Sequence, residues 1–270
     1  MTKALLSFLL LLLAPIAPAE AMTNLPVPFT SEVPGGKWVG PWKNACEEAS
    51  VLMAEQYYLG KKEISKTLAK SAMESLFNWQ NKNFGRNADS NAEETAKIIN
   101  EYTSFSATVK TNPTLEEIKS ELDNGYPVIS LHYGFGLNNP AIPFLANGSS
   151  YHMMVLVGYD NKKKEFITND PGNEKKGLDF RYKYDTILNT LGDFNHETKK
   201  VDGLPTVLFT KPKNLVKVAG GKRIYLIEND EKRYISHPNV FKNHRWSWSL
   251  VKPMAKGDLE KIPNGTSINK

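Results

Sequence analysis

The chain has 270 residues, with 34 Lys or Arg against 29 Asp or Glu and a net charge of +5. That length suits one sizeable domain and a smaller one, and a single cysteine excludes a disulfide framework. The basic residues are interleaved with acids and Lys162-Lys163-Lys164 is the longest run, so the charge implies weak attraction to anionic surfaces and no nucleic-acid footprint.

Residues 1–21 read as a secretory signal. Lys3 supplies the basic start, Ala4 to Ile16 is apolar apart from Ser7, Pro18 breaks the run, and Ala19-Glu20-Ala21 offers small residues to a signal peptidase. The run falls short of the ~20 residues needed to cross a bilayer. The expectation is cleavage near Ala21, no membrane span after processing, and a secreted, periplasmic or cell-envelope protein.

From Leu25 to Gly40 the chain is a Pro- and Gly-rich lead-in. A helix is expected over Ala45 to Tyr58, with Asn44 as N-cap, Glu47 completing a capping box and Gly60 ending it. A second is expected over Ile64 to Trp79. After a polar loop (Asn81 to Asp89), Ser90 is expected to cap a third, and Thr114 with Glu117 boxes a fourth. The period then changes to that of strands: 127–133, His152 to Tyr159 and Glu165 to Thr168, the last two joined by a turn at Asp160-Asn161-Lys162. Residues 134–150 form a long Gly/Pro/Asn loop of the kind that often carries function. A short helix (Tyr184 to Leu191) and a strand (Thr206 to Phe209) close the unit. Helices first and antiparallel strands after make an α+β domain.

A boundary is expected near Lys211-Pro212-Lys213, dividing residues 22–212 from a small β-rich module at 213–270. The module shows short strands at Val216 to Val218, Arg223 to Glu228 and Lys232 to Ile235, then a polar tail. Trp246, Trp248, Tyr225 and Tyr234 make either a stacking surface for a cell-wall or other polymer, or the core of a unit too small to do without aromatics.

Three residues carry the chemistry. Cys46 begins the first helix, His152 heads the most apolar strand, and Asp170 lies in T-N-D-P-G after the next one. Antiparallel pairing of those two strands makes His152 and Asp170 neighbours. Cysteine, histidine and carboxylate are the parts of a thiol hydrolase, in which a helix N-terminus and an imidazolium lower the thiol pKa and the carboxylate orients the ring. Glu47 and Glu48 are expected to project to other faces. His132 is the one rival base. No phosphate loop, metal-ligand spacing or dinucleotide fingerprint occurs, so no cofactor and no metal is expected.

A-C-E-E-A-S at a helix head, H-M-M-V-L-V-G-Y-D and N-D-P-G, with the lead-in Val27-Pro28-Phe29-Thr30-Ser31, resemble the C39-like family of papain-fold cysteine peptidases, in its stand-alone exported bacterial branch. The resemblance covers residues 26–210. It implies a papain-like domain, a peptide or amide substrate, Cys46 as nucleophile, His152 as general base and acid, and Asp170 as orienting group. It also implies an oxyanion-hole glutamine shortly before the cysteine, but Gly40 to Asn44 reads G-P-W-K-N. Asn44 or Lys43 is the candidate replacement donor; a slow or decayed enzyme is the other outcome. The expected function is acyl-thioenzyme hydrolysis, with subsites in loop 134–150 and around Trp79. The alternatives are a non-catalytic exported binding protein keeping the fold, and a thioester acyltransferase.

Overall fold

The computed structural model describes residues 22–140 and 151–269. The expected signal segment and residues 141–150 of the long loop lie outside the described residues.

In chain order, β1 (Met22–Asn24) and the lead-in are followed by α1 (Cys46–Tyr58), α2 (Lys66–Phe84) and α3 (Ala92–Tyr102). Then come β2 (Phe105–Thr111), α4 (Leu115–Asp123), β3 (Val128–Tyr133), β4 (Tyr151–Asp160), β5 (Glu165–Asn169), β6 (Phe180–Lys183) and α5 (Tyr184–Thr190). A small hairpin of β7 (Phe194–Asn195) and β8 (Lys200–Val201) leads into β9 (Thr206–Pro212). The main sheet has the order β2-β9-β3-β4-β5-β6, with β1 added against β4, and every pairing in it is antiparallel.

Burial on both faces explains the unbroken apolar run of β4. Tyr151, Met153, Val155 and Val157 face one way and pack with α1 and α3 through Val51, Met53, Ile98 and Ile99. Met154 and Leu156 face the other way, toward Ile118 and Leu122 of α4 and Ile187 of α5. A central strand covered on both sides needs no polar alternation. The expected β4–β5 hairpin forms, with a register shift between Leu156 and Gly158. Gly158 is required there: a Cβ on it would lie 2.0 Å from the Thr23 carbonyl oxygen of β1.

Several local expectations need correction. The N-cap of α1 is Ala45, without a side-chain cap, and Asn44 instead closes a 3₁₀ turn over Trp42–Asn44. The expected Asn44–Glu47 box is therefore absent, because Glu47 is drawn into other contacts. The cap of α3 is Asn91, in a full capping box with Glu94, one residue beyond Ser90. α2 runs on past Trp79 until Gly85, at φ 73°, ends it. The Thr114–Glu117 box is found as expected. Strand β2, unassigned from sequence, buries Phe105 and Ala107 against α3 and β9.

A second sheet lies beyond residue 213. It comprises β10 (Asn214–Val218), β11 (Ile224–Glu228) and β12 (Glu231–Tyr234), and past the short α6 (Asn239–Asn243) it is joined by β13 (Lys252–Met254), parallel to β10. The tail is structured: α7 (Lys256–Lys261) follows, and bridges tie Lys232 to Asn264 and Ile235 to Ile268. Trp246 belongs to this unit's core, whereas Trp248 is exposed and stacks on Phe241 at 3.9 Å and 7°. The unit docks beside α1 and the end of α3. Arg245 reaches the buried Glu55 of α1 at 3.5 Å, and Ser104 Oγ donates to the Arg245 carbonyl at 2.9 Å.

Candidate active site

His152 stands at the second position of β4, and Asp170 directly follows β5. The antiparallel register brings them together: His152 Nε2 is 2.8 Å from Oδ1 of Asp170, and both residues are fully buried. The same Oδ1 accepts the Gly172 amide at 3.0 Å, and Oδ2 accepts the Tyr182 hydroxyl at 2.6 Å. Asn139 in turn donates to the Tyr182 hydroxyl at 2.5 Å. Burial alone would raise the Asp170 pKa, but the His152 charge and these hydrogen bonds outweigh it and hold the carboxylate below its ordinary value. For His152, burial pulls the pKa down, while Asp170, and to a smaller extent Glu32, push it above the usual 6.5.

His132 lies opposite His152 in the register, yet its role is structural. Its nitrogens engage Ser130 Oγ at 2.8 Å and Thr190 Oγ1 at 2.9 Å, and burial followed by the His152 charge lowers its pKa to about 3. A ring that stays neutral and is held between two hydroxyls is a satisfied core histidine.

Cys46 begins α1 as expected and is 4% exposed. Its surroundings differ from those expected. The hydrogen bond of Sγ goes to Glu47 Oε2 at 3.2 Å, so Glu47 turns toward the thiol and not to another face. Burial first, then the negative charges of Glu47, Glu32 and Asp89, raise the thiol pKa well above its ordinary value. The resting side chain is a protonated thiol, where the sequence suggested a thiolate. Cys46 belongs to the same buried cluster as Tyr151 and Met153 of β4.

The neighbouring acids differ in how fully they are hydrogen-bonded, and Glu48 Oε2 is left without a partner among the described residues. Glu47 accepts the Ser90 amide at 2.8 Å, and Glu48 accepts from Gln80, another buried residue. Burial raises Glu47 well above the carboxylate range and Glu48 to about 8. Glu32, which closes the lead-in after Ser31, is 2% exposed, and its Oε1 has no hydrogen-bond partner among the described residues. Its backbone is stitched to the N-D-P-G turn, the Glu32 amide donating to the Pro171 carbonyl at 3.0 Å and Ser31 Oγ to the same oxygen at 3.1 Å. Sequence reasoning missed Glu32 because its signal, a carboxylate directly after an apolar lead-in, is indistinguishable from a surface charge.

Of the remaining candidates, Lys43 is exposed and Asn44 half-buried on their 3₁₀ turn. Trp79 stacks on Tyr102 at 6.0 Å and meets Phe84 edge-on, as part of the packing between α2 and α3. Among the described residues no group of three or more His, Cys, Asp or Glu is arranged to hold a metal ion.

The sequence profile of the Peptidase_C39 like family matches residues 25–195, a span that includes Glu32, Cys46, His152, Asp170 and Tyr182. A crystal structure of a candidate C39-like peptidase from Bacillus anthracis is similar with a TM-score of 0.46 and 16% identity, covering 72% of this chain and 98% of that one. At that level the likeness adds no argument of its own. No curated protein matches the chain.

Proposed function

The chain belongs to the Peptidase_C39 like family, and on that footing we propose that it is an exported cysteine peptidase or amide hydrolase working through Cys46, His152 and Asp170. The observation that carries this reading is the buried His152–Asp170 pair, in which the carboxylate is locked by Tyr182 and Gly172. A buried ion pair is costly for a fold to keep, and an orienting role for the imidazole gives it a use.

With Nε2 committed to Asp170, Nδ1 is the nitrogen that serves the thiol. In the proposed step Cys46 Sγ bonds to the carbonyl carbon and the thiol proton passes to Nδ1. The imidazolium then returns that proton to the amine nitrogen as the C–N bond breaks, leaving a thioester that water hydrolyses. Because the resting thiol is neutral, proton transfer accompanies attack and does not precede it. Residues 1–21, read as a signal, support export, and the exposed Trp248 supports a surface-polymer contact for the C-terminal unit.

The test is digestion of a diverse peptide library by the protein without residues 1–21, beside Cys46→Ala and His152→Ala, with products read by mass spectrometry. New termini that vanish in both variants support the reading; an identical product set from all three overturns it. One observation favours a second reading, an exported binding protein that keeps the fold without catalysis: the thiol pKa is raised, not lowered. That reading predicts the identical product set.

A further inference from the structure

We propose that Glu32 is the residue that receives the substrate carbonyl, donating a carboxyl O–H to its oxygen as Cys46 attacks. The inference rests on the peptidase reading and adds to it a catalytic residue drawn from the lead-in. Geometry singles out this side chain. Glu32 is 2% exposed and its backbone is fixed to Pro171, beside Asp170, while its carboxyl lies on the Ala45 amide at the head of α1. It lies near enough to both His152 and Cys46 for its charge to bear on each of them. Glu47 serves Ser90 and the thiol, and Glu48 serves Gln80. Glu32 Oε1 and Glu48 Oε2 both lack a hydrogen-bond partner among the described residues, but of the two only Glu32 is tied to the N-D-P-G turn and to the head of α1.

Acyl transfer needs a donor where the carbonyl oxygen gathers charge, and one such donor contributes around 10²–10³ in rate. An ionised carboxylate there would repel the developing oxyanion; a neutral one can donate. The groups facing Glu32 decide which form holds. Burial raises its pKa most, Asp170 and Glu48 add to that, and His152 and the Ala45 amide oppose it, leaving a value of about 8. Below that pH the carboxyl is protonated. During attack the C=O π pair moves onto oxygen, and the Glu32 O–H hydrogen-bonds to it without transferring its proton. The proton lost by the thiol still goes to His152.

The experiment is the pre-steady-state burst of p-nitrophenol from p-nitrophenyl acetate, followed from about pH 6 to 10 in wild type, Glu32→Gln, Glu32→Ala and Cys46→Ala. A burst present in wild type and absent from Cys46→Ala establishes acylation of the thiol. Glu32→Ala is then expected to acylate about 10²-fold more slowly. Glu32→Gln, whose amide donates at every pH, is expected within about tenfold of wild type near pH 7. Its ratio to wild type should then climb about tenfold per pH unit above 8. A burst in Glu32→Ala equal to wild type overturns the inference and leaves the peptidase reading standing. So does a Glu32→Gln ratio that stays flat with pH, a measurement that holds even if the Ala variant fails to fold. No burst in wild type overturns the peptidase reading and the inference with it.

Discussion

The Tyr182 hydroxyl donates to Oδ2 of Asp170 at 2.6 Å, on the carboxylate oxygen that His152 leaves unused. The phenol therefore fixes the plane of the carboxyl that fixes the imidazole. A hydrogen bond to a charged group contributes roughly 1.5–3 kcal/mol, and in Tyr182→Phe that restraint is lost with little change in volume. We expect kcat/KM to fall roughly tenfold, and Asp170→Asn to cost far more because it permits the wrong imidazole tautomer. Steady-state kinetics on any substrate found in the library screen checks both.

Thiol reactivity should report the acids beside Cys46. Wild type is expected to show no fast iodoacetamide alkylation near pH 5–6, with the rate rising only on the alkaline side of the ordinary thiol range. In Glu47→Gln the rise should move to lower pH, because a negative neighbour in hydrogen-bond contact is removed. A wild-type rate already high at pH 5–6 would contradict the raised thiol.

Stability should fall as pH rises. Glu32 and Glu48 both have folded pKa values of about 8, raised above the unfolded value mainly by burial. The native state therefore holds protons that the unfolded chain releases from about pH 4.5 upward, and the stability present below that pH is lost as pH climbs toward 8. Thermal melts at pH 5 and pH 8 should differ in favour of pH 5. Glu48→Gln, which cannot ionise, should narrow the difference by a few kcal/mol at most, at about 1.4 kcal/mol per pH unit.

Gly177 holds the turn that carries Asp170. Its carbonyl accepts the Asp170 amide at 2.9 Å, and a Cβ on it would lie 1.9 Å from the Asp170 carbonyl oxygen. Backbone cannot yield cheaply, so Gly177→Ala should shift the Asp170 turn and lower kcat more than KM. A Gly177→Ala enzyme with wild-type kcat would show that the turn tolerates displacement.

Arg245 anchors the second sheet to the first through Glu55, which is 4% exposed. Arg245→Ala leaves that carboxylate without its cation. Breaking a fully buried pair costs about 3–5 kcal/mol, and the partly exposed Arg245 should bring the loss to about 2–3 kcal/mol by denaturant unfolding.

The amino-acid sequence by itself determined the existence of α1, though not its cap, the Thr114–Glu117 box, the β4–β5 hairpin and, through that hairpin, the meeting of His152 and Asp170. These are consequences of local capping, period and turn chemistry, which act over a few residues. The motifs also pointed to the family, because order and spacing along the chain survive without coordinates. What only the tertiary structure decided is the environment of each group. Ser90 and Glu47 are 43 residues apart and Glu32 and Pro171 further still, yet their contacts set which acids crowd the thiol. Neutral thiol, inert His132 and protonated Glu32 all follow from desolvation, a property of the packed interior that no spacing rule contains.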